Sequence, residues 1–205
     1  MTAGLDGREI ARYLGYGRAP LPPGVAEEAA RCIRELERTV VPHRIGRRLS
    51  AELFTGESRD LARHLAHSRA VVLYAITLGA EADRLMRRWS AQSMARAAVG
   101  QACCAAWLDA LSSDYGHELA RGLAAGEYLT PPFSPGYGDW PLAAQRRVLG
   151  LLDAHRRIGL GLTEGGMLVP EKSVTALVGI SDRPEEHCGQ RCLRCQKQDC
   201  PYRMV

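Results

Sequence analysis

Four thiols near the C-terminus are the residues whose type and spacing speak first. Cys188, Cys192, Cys195 and Cys200 follow a C-x3-C-x2-C-x4-C spacing within thirteen residues. A thiolate set of that number and closeness can close one tetrahedral zinc site or hold a [4Fe-4S] cluster. Pro201 after the last thiol fits a ferredoxin-type arrangement, and Arg191, Arg194 and Lys197 would offset the charge of an anionic cluster. Zinc stays equally open, because its spacing rules are loose. The stretch DRPEEHCGQRCLRCQKQDCPYRMV has almost no branched aliphatic residues, so metal rather than an apolar core is the expected source of its order. His187 is a spare ligand for the same site.

The remaining thiols, Cys32, Cys103 and Cys104, sit inside helical patterns and read as core residues. The N-terminal MTAGLDGREIARYLGYG lacks the apolar segment of a secretory leader, which points to a cytoplasmic chain and to metal rather than disulfides. No stretch reaches the roughly 18 apolar residues of a membrane span. With 205 residues, 46% of them hydrophobic, the chain can bury one main core, expected over residues 1–181, with residues 182–205 as a metal-binding appendage. The net charge of +4 rests on 25 arginines and only two lysines, Lys172 and Lys197. The arginines are dispersed in pairs with acids nearby, the pattern of solvated helix faces and not of a nucleic-acid-binding stripe.

A second constellation is the stiff, aromatic loop FSPGYGDWPLAAQRR, residues 133–147. It feeds a helical pattern, with Asp139 expected to cap that helix, Pro141 in its first turn, and Leu142, Val148, Leu149 and Leu152 as its buried face. Upstream, the spacing predicts helices over 6–17 and over the stretch closed by Pro42, then a basic connector, HRIGRRLS. Ser58 is positioned to cap a short helix whose His64 and His67 read as surface residues. AVVLYAITLG reads as a buried strand, followed by two helices over 80–125 with a break near Ser90 or Ser93. Two short strands around Gly165 and Gly166 and a final strand, SVTALVGIS, complete the pattern. Without strict strand-helix alternation the fold class is α+β, with an antiparallel or mixed sheet flanked by helices. GLGLTEGG lacks the strand-then-helix setting of a dinucleotide loop, and Ser173, His155 and Asp153 form no nucleophilic arrangement.

Three blocks in order carry a family resemblance: YAITLG at 74–79, SPGYGDWPLAAQ at 134–145, and IGLGLTEGGMLVPEKSVTALVGI at 158–180. Together they resemble the activation domain of cobalamin-dependent methionine synthase, and more closely its free-standing relatives, over roughly residues 8–181. The resemblance implies a curved antiparallel sheet with flanking helices, bound S-adenosylmethionine, and a role in the reductive methylation of a corrinoid. Pro135-Gly136-Tyr137, preceded by Ser134, matches the family's ligand loop. Met167, Pro170, Lys172 and Ser173 match the segment beside the ligand. The chain carries no corrinoid module of its own, so cobalamin would arrive on a partner, a corrinoid-binding protein or a methionine synthase core. Electrons would come from a reductant such as flavodoxin or ferredoxin. Pro132 stands where the family's carboxylate-binding arginine is expected, and proline cannot supply a guanidinium fork. That departure keeps open a non-enzymatic corrinoid-protein binding or assembly module with a structural metal tail.

Overall fold

The computed structural model describes residues 6–184; Cys188, Cys192, Cys195 and Cys200, with the metal site expected of them, lie outside the described residues. Helices α1 (Gly7–Tyr13), α2 (Pro23–Thr39), α4 (Gly79–Gln92) and α5 (Met94–Arg121) build one layer. Proline in the first turn starts α2 without loss of a bond, since that N–H has no helical partner. Its Ala29, Cys32 and Leu36 then recur at helical spacing and are buried. The expected break falls at Ser93, whose extended backbone ends α4 and whose hydroxyl accepts from the Arg96 N–H to cap α5. Trp89, Cys103, Cys104 and Leu36 fill the core between these helices. Gly100 makes room for it, because a Cβ there would overlap the Trp89 ring.

The sheet packs against α5. Its four strands, β1 (His43–Ser50), β2 (Ser68–Thr77), β3 (Tyr128–Leu129) and β6 (Ser173–Ser181), run in the order β1-β2-β6-β3 and every pairing is antiparallel. Val72, Tyr74 and Ile76 of β2 face Tyr115 of α5, while Val71, Leu73 and Ala75 face a second core with Phe54, Trp140 and Leu149. Covered on both sides, β2 needs apolar residues in both registers, which is why AVVLYAITLG shows no alternation. The second core is closed by α3 (Arg59–His64), α6 (Gln145–Leu152), α7 (Ala154–Ile158) and the hairpin of β4 (Gly161–Leu162) and β5 (Leu168–Val169).

The stretch HRIGRRLS is the edge strand β1 and not a connector. Only Ile45 of its eight residues is buried, and the arginines occupy an exposed sheet edge, where charge discourages pairing with other chains. Gly46 carries a further constraint: a Cβ there would overlap the Tyr115 hydroxyl. Leu142 is also corrected. It lies in a 3-10 turn ahead of α6 and is exposed, whereas Val148, Leu149 and Leu152 are buried as expected. Among the described residues no helix is long and apolar enough to cross a membrane.

Candidate functional site

The aromatic loop is an extension of the sheet that lets go partway. Thr130 N–H donates to Gly179 O, and Phe133 exchanges two bonds of 2.9 Å with Leu177, so residues 128–133 run along the outer edge of β6. Beyond Leu177 that edge, at Thr175 and Ser173, meets no further strand among the described residues. The chain turns there. Tyr137 N–H donates to Ser134 O at 3.0 Å and Gly136 N–H to Trp140 O at 2.8 Å, closing a double turn. Gly136 has a φ of +96°, a region side chains avoid, and an atom added at its Cβ position would meet only Leu142 Cδ1 at 3.6 Å. The turn therefore exposes backbone beside open space.

Helix α3 and its neighbours hold this turn. Asp139 was expected to cap the helix that follows it; instead its carboxylate caps α3, accepting from the N–H groups of Arg59 and Asp60 at 3.0 Å each. The physical reason is distance: the turn brings Asp139 over the free N–H groups of α3, while α6 starts six residues later with no side-chain cap. The Ser58 hydroxyl and those N–H groups hold the Asp139 carboxyl below the usual aspartate range. Trp140 is buried, and its indole N–H donates to Glu57 Oε2 at 2.6 Å, with Arg147 paired to the other oxygen of Glu57. His64 is buried as well, contrary to its reading as a surface residue, and its Nε2 lies 2.9 Å from Pro131 O.

The expected ligand residues fall into three places. Ser134, Pro135, Gly136 and Tyr137 form the turn itself; Pro135 is buried and Tyr137 is 57% exposed, its ring edge-on to Phe133. The Tyr137 hydroxyl makes no side-chain hydrogen bond among the described residues, so both a face and a polar handle are presented outward.

Pro170, Lys172 and Ser173 gather at the start of β6, four strand residues from Leu177, or about 13 Å along the edge. Ser173 Oγ lies 2.7 Å from both Thr77 Oγ1 and Pro170 O, and Thr77 in turn accepts from Gly79 N–H. That relay ties β6 to the end of β2 and the start of α4, which gives Ser173 a structural duty. The Lys172 side chain is only 13% exposed, its ammonium 2.8 Å from Glu171 Oε1. This pairing lowers the Glu171 carboxyl. Glu171 N–H donates to Asp83 Oδ2, while Asp83 Oδ1 is buried without a hydrogen-bond partner among the described residues. Met167 stands apart, at the exposed tip of the β4–β5 hairpin.

Sequence reasoning missed β3, His64 and the role of Asp139. A two-residue strand leaves no period to detect. Nothing in the local sequence distinguishes a histidine buried by a distant loop from a solvated one.

Against known proteins, no family model matches the sequence and no curated protein does. Among solved structures the chain is similar to one described as the crystal structure of the MetH reactivation domain bound to AdoHcy, with a TM-score of 0.58 and 15% identity. The match covers 89% of this chain and 77% of that one. The chain has the reactivation-domain fold. At that identity the likeness concerns architecture, and it agrees with the expected α+β class: helices and an antiparallel sheet.

Proposed function

We propose that this chain is an S-adenosylmethionine-binding reactivation subunit that supports reductive methylation of a corrinoid carried by a partner methyltransferase or methionine synthase core. The observation that carries the reading is the double turn at Ser134–Tyr137. It sits where the chain leaves the outer edge of β6 after Phe133, with bare backbone at Gly136 and an exposed tyrosine. The solved structure of the same fold is described as bound to AdoHcy, the product form of this ligand.

In this reading the Gly136 backbone and the Tyr137 ring hold the nucleoside portion. Lys172, beside Pro170 at the start of β6 and after Met167 of the hairpin, is the candidate for the ligand's carboxylate end, because Pro132 offers no charge and Lys172 would exchange its pairing with Glu171 for it. The chemistry of the bound molecules is a methyl transfer: one electron takes cobalt(II) to cobalt(I), whose electron pair accepts the methyl group of the sulfonium and leaves S-adenosylhomocysteine. The thiols Cys188, Cys192, Cys195 and Cys200 would hold zinc, which would supply a structural clip, or a [4Fe-4S] cluster, which would supply one-electron chemistry towards a donor such as flavodoxin or ferredoxin. The work takes place in the cytoplasm.

The test is titration calorimetry with S-adenosylhomocysteine and S-adenosylmethionine, alone and with a corrinoid partner. Saturable binding lost in Tyr137→Ala supports the reading, and no binding under either condition overturns it. Pro132 in place of an arginine favours a second reading, a corrinoid-protein binding or assembly module without methyl transfer. Mixing the chain with a cobalt(II) corrinoid partner, a reductant and S-adenosylmethionine separates the two, since methylcobalamin formation is visible by absorption.

A further inference from the structure

Pro131 and Pro132 create a weak point beneath the candidate ligand turn. Neither has an N–H, so between Thr130 and Phe133 the chain has no donor with which to hold the edge of β6. The only backbone handle at Pro131 is its carbonyl. His64, the last residue of α3, takes it: the side chain is buried, and Nε2 lies 2.9 Å from Pro131 O and 2.9 Å from Thr130 Oγ1. A carbonyl only accepts, so Nε2 carries the proton in this contact. Thr130 Oγ1 in turn accepts from Gly179 N–H at 2.8 Å, which joins the imidazole to β6.

The imidazole also touches the aromatic series that leads to the turn. Its centroid lies 4.9 Å from that of Phe133, which is 5.9 Å from Tyr137 and 6.2 Å from Trp140. Helix α3 has six residues and spans about 9 Å. At its first turn it is bound by Asp139, and at its last residue it binds Pro131, so it grips the loop on both sides of Ser134–Tyr137.

We infer that His64 is a positioning residue for the ligand turn: through Pro131 and Phe133 it sets the direction in which Tyr137 and the Gly136 backbone are presented. The inference rests on the ligand site proposed above for its consequence in binding, but not for its effect on the loop itself. A phenylalanine fits the volume without a donor, whereas glutamine restores an N–H close to the position of Nε2.

The experiment measures amide hydrogen exchange in the ligand-free protein, together with S-adenosylhomocysteine affinity, for wild type, His64→Phe and His64→Gln. In His64→Phe the amides of Phe133, Gly136, Tyr137 and Trp140 exchange about tenfold faster and affinity falls about five- to tenfold, the scale of one buried hydrogen bond. The amides of β2 keep their protection, and His64→Gln recovers both readouts. Unchanged loop exchange in His64→Phe, an equal loss of protection throughout β2, or a glutamine variant no better than phenylalanine overturns the inference. Should His64→Phe fail to fold, His64→Leu, which also lacks a donor, is read the same way. If the wild type binds no S-adenosylhomocysteine, the proposed function fails while the exchange arm still decides the role of His64.

Discussion

Asp139 and Asp60 exchange backbone hydrogen bonds: Asp139 Oδ1 accepts from the N–H of Asp60 at 3.0 Å, and Asp60 Oδ2 accepts from the N–H of Asp139 at 3.2 Å. The pair locks an aromatic loop onto the start of a helix almost eighty residues earlier in the chain. Gly138 between them is glycine for two reasons, a φ of +53° and a Cβ position that would overlap the Asp60 carboxylate.

Removing the lock has a pH signature. Hydrogen bonds from Ser58, Asp60 and Arg59 depress the Asp139 carboxyl in the folded state. Its contribution to stability is therefore complete above the ordinary aspartate value of about 3.9 and disappears as pH falls through the lower folded value. Asp139→Ala should lower the denaturation midpoint at pH 7, and the difference from wild type should shrink on acidification below pH of about 4. A difference that persists unchanged in acid would show that lost packing, not the carboxylate, is responsible.

Tyr137 is exposed, so its substitution should separate binding from folding. Tyr137→Phe should weaken S-adenosylhomocysteine binding about fivefold, the scale of one hydrogen bond, and Tyr137→Ala considerably more. Unfolding free energy should stay within about 0.5 kcal/mol of wild type in both, because surface positions contribute little. Calorimetry beside urea denaturation checks the pair of outcomes.

Gly46→Ala tests the close approach of β1 to α5. The added methyl overlaps the Tyr115 hydroxyl and should destabilise by about 1–3 kcal/mol, as overpacking does. Combining it with Tyr115→Phe removes the overlapping oxygen, so the double variant should be more stable than the sum of the two single effects implies. Additive effects in a denaturant-based double-mutant cycle would contradict this contact.

The three core thiols should be chemically silent. Burial pushes Cys32 up to about 11 and Cys103 and Cys104 up to about 12, leaving almost no thiolate at pH 8. In the native protein a thiol reagent should modify none of the three within minutes, while all seven cysteines react after denaturation. Peptide mapping of the labelled chain identifies which react. Loading with zinc or iron and sulfide should further protect Cys188, Cys192, Cys195 and Cys200, and protection should vanish with a chelator.

Local physics was legible in the chain. The cap at Ser58, the helix break near Ser93, the burial of β2 and the short strand pair around Gly165-Gly166 were readable because each depends on residues a few positions apart. HRIGRRLS was misread because an edge strand with one buried residue carries the composition of a loop.

What only the tertiary structure decided is how the turn is held. Asp139 caps a helix it does not precede, His64 is buried by Pro131 and Phe133 more than sixty residues away, and Ser173 is drawn into a relay with Thr77. Each role depends on which backbone groups distant segments leave unpaired when they meet. Short-range patterns determine helices and strands, but the partner of a side chain is set by the packing of the whole sheet and its flanking helices.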